Sequence, residues 1–154
     1  MKKLLFFTSL FITTTTFAQT ILRYSDHEQL GNMRTKFFKE VLFKNIQEES
    51  KGRLKIDDHW NCEISTSYDA LKAVAEKNLA DITVVVPEYV GTQWSHQLLF
   101  KSFPTGPSGE KQVKLIKKLY KNIPQFNKEI EKSGVKNLMV ATGYPVAFFS
   151  TKKN

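Results

Sequence analysis

Apolar positions along the chain switch between two periods. Ile21-Leu22-Arg23-Tyr24-Ser25 partly alternates between polar borders, which predicts a first strand over 21–25. The polar run 26–32 reads as loop. Phe37, Phe38, Val41, Leu42 and Ile46 then recur at helical spacing and predict a helix over 33–50, with Gly52 as its C-terminal stop. Residues 53–57 form a short second strand and 59–65 a loop. Thr66-Ser67-Tyr68-Asp69 is a capping-box pattern, a hydroxyl followed three residues later by an acid. It opens a helix that turns Leu71, Val74 and Ala75 inward and ends near Asn78. Ile82 followed by four β-branched residues at 83–86 lacks polar alternation, which predicts a strand over 81–87 buried on both faces. Strands alternating with helices at these intervals imply βαβ units and a parallel sheet.

Residues 88–109 carry scattered aromatics, glycines and prolines, which predicts a short helix over 93–99 and then a long loop. Ser108 caps an expected helix over 109–122 whose Val113, Ile116 and Tyr120 share one face. Pro124 suits the first turn of another helix running to Ser133, which Gly134 ends. Residues 135–142 read as a fourth strand beside the other three, and 146–150 as a strand starting in a new direction.

The first 20 residues follow a different logic. Lys2 and Lys3 precede an apolar run from Leu4 to Ile12, and Ala18 offers a small residue for cleavage. This is the pattern of a secretory signal peptide over 1–18, and the run is far short of the roughly 20 residues of a spanning helix. Export changes how the formal net charge of +8 is read. In a cytosolic protein it would raise nucleic acid as a partner. Outside the cytoplasm that reading weakens, and lysines at helical spacing read as a solvated face. The 154 residues, 41% hydrophobic, suffice for one packed domain and exclude a disordered chain. Cys62 is the single cysteine, so no internal disulfide forms.

Candidate chemistry is sparse. His27 and Glu28 follow the first strand, and residues at carboxyl ends of parallel strands line the ligand crevice of open α/β sheets. Spacing alone reads them as an exposed polar loop. Asp57, Asp58, His59, Asn61, Cys62 and Glu63 form the densest polar cluster. A metal site drawn from Asp58, His59 and Cys62 fails on geometry, because neighbours on an extended segment point to opposite faces. His96 reads as structural. No Gly-x-Ser-x-Gly elbow, phosphate loop or Gly-x-Gly-x-x-Gly occurs, so no enzyme, cofactor or metal is expected. An exported α/β protein of this kind reads as a binder.

Taken in order, these segments resemble the solute-binding proteins of tripartite ATP-independent periplasmic (TRAP) transporters, dicarboxylate-binding type. The resemblance begins at ILRYSDH and strengthens at the turn Ser50-Lys51-Gly52-Arg53-Leu54 and the loop His59 to Ser65. It continues through YDALKAVAEKNLADITVVVPEYV, Ser102-Phe103-Pro104, and Lys136 to Tyr144. It implies a periplasmic-binding-protein-like (type II) lobe over 19–144, a mostly parallel sheet flanked by helices. Residues 145–154 would start the crossover to a second lobe that is missing here. It further implies a periplasmic binder, released by cleavage after Ala18, that captures a small organic anion of dicarboxylate type. Its partners would be integral-membrane TRAP permease subunits, with no nucleic acid. The rival reading is a secreted structural or interaction module with no small-molecule ligand.

On that reading the cleft is lined by His27 and Glu28 after the first strand, Glu63 after the second, Tyr89 after the third and Tyr144 near the crossover. His27 and Tyr89 would donate hydrogen bonds and Tyr144 would supply apolar contact. Glu28 and Glu63 would repel a carboxylate but accept from hydroxyl or amine groups. The family's ligand arginine follows the Gly-aromatic pair after the fourth strand. Here Pro145 follows Gly143-Tyr144, and no Arg occurs from 135 to 154.

Overall fold

The computed structural model describes residues 18–76, 78–99, 107 and 109–140. Residues 1–17 of the expected signal peptide, the expected Ser108 cap, Ser102-Phe103-Pro104, Tyr144 and the 146–150 segment lie outside the described residues. Strand β1 (Thr20–Ser25) is the centre of a three-stranded sheet of order β2-β1-β3. β2 (Leu54–His59) and β3 (Ile82–Thr83) both run parallel to it, with Thr20 opposite Leu54, Ser25 opposite His59 and Tyr24 opposite Ile82. The parallel α/β sheet flanked by helices stands as expected.

Two clusters of apolar side chains hold the helices. The first surrounds Tyr24, whose ring lies 4.9 Å from Phe43, 5.2 Å from Trp60 and 6.2 Å from Phe38. Phe38 and Phe43 come from one continuous helical segment: α1 (Met33–Phe37), a π-helical stretch (Phe38–Leu42) and α2 (Phe43–Glu49). On α geometry residues five apart lie ~140° around the axis. The π stretch, in which the Phe43 N–H bonds Phe38 O, brings both rings to the sheet. It also corrects the simple periodic reading, because Phe37 and Val41 are exposed while Phe38 is buried. The start is capped by the Asn32 side chain, which accepts from the Thr35 N–H at 2.9 Å.

The helix end is a Schellman turn. Gly52 N–H donates to Gln47 O at 2.8 Å and Lys51 N–H to Glu48 O at 2.9 Å. The stop expected at Gly52 therefore begins one residue earlier, with Lys51 at φ 54° before Gly52 at φ 75°. Ser50 Oγ donates to Gln47 O and accepts from Leu54 N–H, both at 3.0 Å, tying the turn to β2.

The second cluster joins Leu71 of α3 (Ala70–Ala75), Trp94 and Ile130, with Val85 and Tyr120 packed against it. Trp94 closes a 3₁₀ turn (Gly91–Trp94) after α4 (Pro87–Val90), where a short helix over 93–99 was expected. Asp69 N–H donates to Thr66 Oγ1 at 3.3 Å, but this bond closes the turn before α3, whose N-cap is Asp69 and not the expected Thr66. Helices α5 (Gly109–Asn122) and α6 (Pro124–Glu131) fall where their periodicity places them.

Two strand expectations are corrected. β3 pairs over two residues, and Val84–Val86 are half-buried and not enclosed on both faces. Among the described strands it is an edge, with β1 on one side alone. Residues 135–140 form no strand, and Leu138 and Met139 are 72% and 52% exposed. Strand propensity alone forms no ladder until the backbone pairs with a neighbouring strand.

Candidate functional site

The site is read at the carboxyl edge of the sheet, where loops leave β1, β2 and β3. β1 runs into Asp26, whose side chain is fully enclosed. Asp26 Oδ2 accepts from the Tyr24 hydroxyl at 2.5 Å and from Arg34 Nη1 at 2.6 Å. Oδ1 accepts from Arg34 Nη2 at 3.0 Å and from the Glu28 N–H at 2.9 Å. Burial alone would raise the Asp26 pKa, but the bonds from Arg34 and Tyr24 outweigh it and hold it below the usual carboxylate value. Tyr24 is shifted up by burial and then by Asp26. Arg34 is shifted up as well, because Asp26 and Glu28 outweigh its burial.

This fork fixes the loop that carries two of the expected site residues. Glu28 Oε2 lies 3.1 Å from Arg34 Nη2 and accepts from the Asn32 amide. His27 is largely covered, with its Nδ1 3.8 Å from Asp26 Oδ1 and without a hydrogen-bond partner. The β2 loop clasps the same segment through its backbone. Asn61 N–H donates to Glu28 O at 2.9 Å, Cys62 N–H to Asp26 O at 3.2 Å, and Cys62 Sγ to His27 O at 3.4 Å. Asn61 and Cys62 are consecutive non-glycine residues in the left-handed region, at φ 56° and 61°. Such strain persists where surrounding contacts over-determine the loop.

Glu63 points back along β2. Its Oε1 lies 2.8 Å from His59 Nδ1, while Asp57 Oδ2 lies 3.2 Å from His59 Nε2. The bond to Glu63 first, and then that to Asp57, raises the His59 pKa. Tyr89 sits on α4 and is 41% exposed. Its ring lies 4.6 Å from that of Tyr68, from the turn before α3, tilted by 47°.

The structure thus joins His27 and Glu28 to the 60–63 loop and leaves Tyr89 paired with Tyr68 instead. Sequence reasoning missed Arg34, Asp26 and Tyr68. The Asp26–Arg34 pair spans a loop and has no local spacing signal, whereas Tyr68 was visible inside the capping box. Arg23, Arg34 and Arg53 are the chain's arginines. Arg23 bonds Asn78 O and lies beside Asp81, Arg34 holds Asp26, and Arg53 bonds Ser50 O ahead of β2. No arginine at the carboxyl edge is left to fork a ligand carboxylate. Two concavities lie elsewhere. One of about 410 Å³ includes Leu71, Lys72, Glu76 and Lys132, and one of about 300 Å³ includes Val113, Ile116 and Leu138.

No family model matches the chain, and no curated protein matches it. A solved structure does: a TRAP periplasmic solute-binding protein from Desulfovibrio salexigens DSM2638, at 17% identity and a TM-score of 0.61. The described sheet and helices are part of a periplasmic-binding-protein-like fold. The match covers 72% of this chain and 34% of that one, so this chain spans about a third of the neighbour's length. That structure is an open complex with the C-terminus of a symmetry mate in its ligand-binding site. No helix among the described residues is long and apolar enough to cross a membrane.

Proposed function

We propose that this chain forms the first lobe, over 19–144, of an extracytoplasmic solute-binding protein of the TRAP type. It captures a small organic acid in the periplasm and delivers it to integral-membrane permease subunits, with no catalytic step. The observation that carries the reading is the parallel order β2-β1-β3 together with the likeness to a TRAP solute-binding protein at a TM-score of 0.61. The leader pattern before Ala18 supports export.

In open α/β sheets solutes bind outside the carboxyl ends of the strands. His27 and Tyr89 then donate, Glu28 and Glu63 accept, and Tyr144 adds apolar contact. With each arginine already engaged, the favoured solute carries hydroxyl or amine donors beside its carboxylate. Two absent charge-assisted bonds at roughly 1.5–3 kcal/mol each weaken binding by about two to four powers of ten. The test is calorimetry of residues 19–154 against dicarboxylates, hydroxy acids, amino acids and sugar acids. The expected result is heat from at least one acid with a dissociation constant weaker than about 0.1 mM, lost in His27→Ala. No heat from any acid at millimolar concentration overturns the reading, and submicromolar binding overturns the argument from the arginines.

A further inference from the structure

Charge is segregated along this chain. Residues 19–100 carry 10 Lys and Arg against 12 Asp and Glu, whereas 101–154 carry 11 Lys against 3 Glu. The excess has a surface. On α5, Lys111, Lys114, Lys118 and Lys121 follow a 3-4-3 spacing that lines them along one side, with Lys117 next to the row. All five are exposed, and Leu115, 42% exposed, lies among them. The opposite side is committed inward: Ile116 is buried and the Tyr120 ring lies 5.3 Å from Phe126 of α6. The one acid on α5, Glu110, lies 2.7 Å from Lys114, an exposed pair with little hold. Lys128, Lys132 and Lys136 add exposed charge on and after α6.

We infer that the outer face of α5 is a docking surface for an anionic lipid bilayer. At ~1.5 Å per residue the lysines from 111 to 121 make a straight row ~15 Å long on this helix. Such a row fits a flat, diffuse negative surface better than a pocketed acidic protein. The charges are lysines, mobile point cations without the planar fork that reads a defined carboxylate or phosphate geometry. The Leu115 side chain, set among them, can reach the headgroup boundary. Attraction to an anionic leaflet is additive per lysine and decays within a Debye length. Such a surface would keep an exported binder close to a membrane-embedded partner, but it stands independently of what the protein binds.

The test is co-sedimentation of residues 19–154, which contain every described element, with vesicles of 30% phosphatidylglycerol in phosphatidylcholine or of phosphatidylcholine alone. Binding is expected to the anionic vesicles alone and to fall as NaCl rises from ~50 to ~500 mM. Each lysine neutralised in Lys114→Gln, Lys118→Gln and Lys121→Gln should lower partitioning about fivefold. The matching Lys→Arg triple should keep it, and melting curves should show both triples folded. Lys44→Gln/Lys51→Gln/Lys55→Gln, on the other half of the chain, should change nothing. Equal binding to both vesicles, equal loss in the two Gln triples, or capture by polyglutamate or DNA without vesicle binding overturns the inference.

Discussion

Replacing Asp26 by Asn removes the enclosed charge of the fork and leaves Arg34 only the partly exposed Glu28, 3.1 Å away. The Asp26 carboxylate is enclosed, and the Arg34 guanidinium that faces it is about four-fifths covered, at 22% exposure. Removing one partner of a buried pair costs about 3–5 kcal/mol where the other is left unpaired, and Glu28 at 41% exposure offsets only part of that for Arg34, whereas removing both partners often costs far less. Asp26→Asn and Arg34→Met are each expected to cost about 3 kcal/mol or more, and the double variant about as much as one single variant, a coupling of roughly 2–3 kcal/mol. Urea unfolding followed by tryptophan fluorescence reads this directly, because Trp60 lies 5.2 Å from Tyr24 in the same cluster. The pH dependence has a definite sign. The Asp26 pKa is lowered in the folded state, so its contribution is complete above the ordinary value of 3.8 and is lost as pH falls through the folded value. The gap between wild type and Asp26→Asn should therefore shrink below about pH 4. Single variants that cost under about 1 kcal/mol, or costs that simply add, would show that the fork does not hold this loop.

Other parts of the fold make separate predictions. Glu129 on α6 accepts from His96 N–H and Nδ1, Ser95 Oγ and Gln97 N–H; burial raises its pKa, but these bonds hold it at about 2. Stability it confers is complete above its ordinary 4.5 and fades toward pH 2, so Glu129→Gln should cost roughly 1–2 kcal/mol at pH 7 after solvent screening, and almost nothing at pH 2, in urea melts. The raised His59 pKa implies stability present below 6.5 and lost as pH rises through the folded value; Glu63→Gln should bring the His59 proton titration, followed by NMR, back toward the ordinary value. Lys51→Gly should stabilise the protein by about 0.5–1 kcal/mol, because a left-handed backbone at φ 54° strains any side chain; destabilisation would mean that the Lys51 side chain matters to the turn.

Elements with a complete local signal were legible in the sequence. α5 spans Gly109–Asn122 as its period requires, and α6 starts at Pro124, where proline fits the first turn. The three strands of the sheet and their parallel sense follow from alternation and crossover length. What failed depends on distant partners. Val84–Val86 have strand propensity, but β3 meets β1 over only two residues. Residues 135–140 have the same propensity but pair with none of the described strands. The π stretch that turns Phe38 and Phe43 together answers to Tyr24, far away in sequence. At the candidate site, the position of His27, Glu28 and Glu63 after strands was legible, because strand ends are. Their ties to Arg34, Asn32 and His59 were not, because side-chain pairing across loops leaves no periodic trace.

The central claim is solute capture at the carboxyl edge of the β2-β1-β3 sheet. A two-dimensional ¹⁵N NMR titration of residues 19–154 with hydroxylated and amino organic acids tests it most directly, because it maps weak binding residue by residue. The account predicts saturable shifts concentrated in the amides of His27, Glu28, Glu63 and Tyr89. Shifts that cluster instead around Leu71, Lys72 and Lys132, or no saturable shift with any acid, would contradict it.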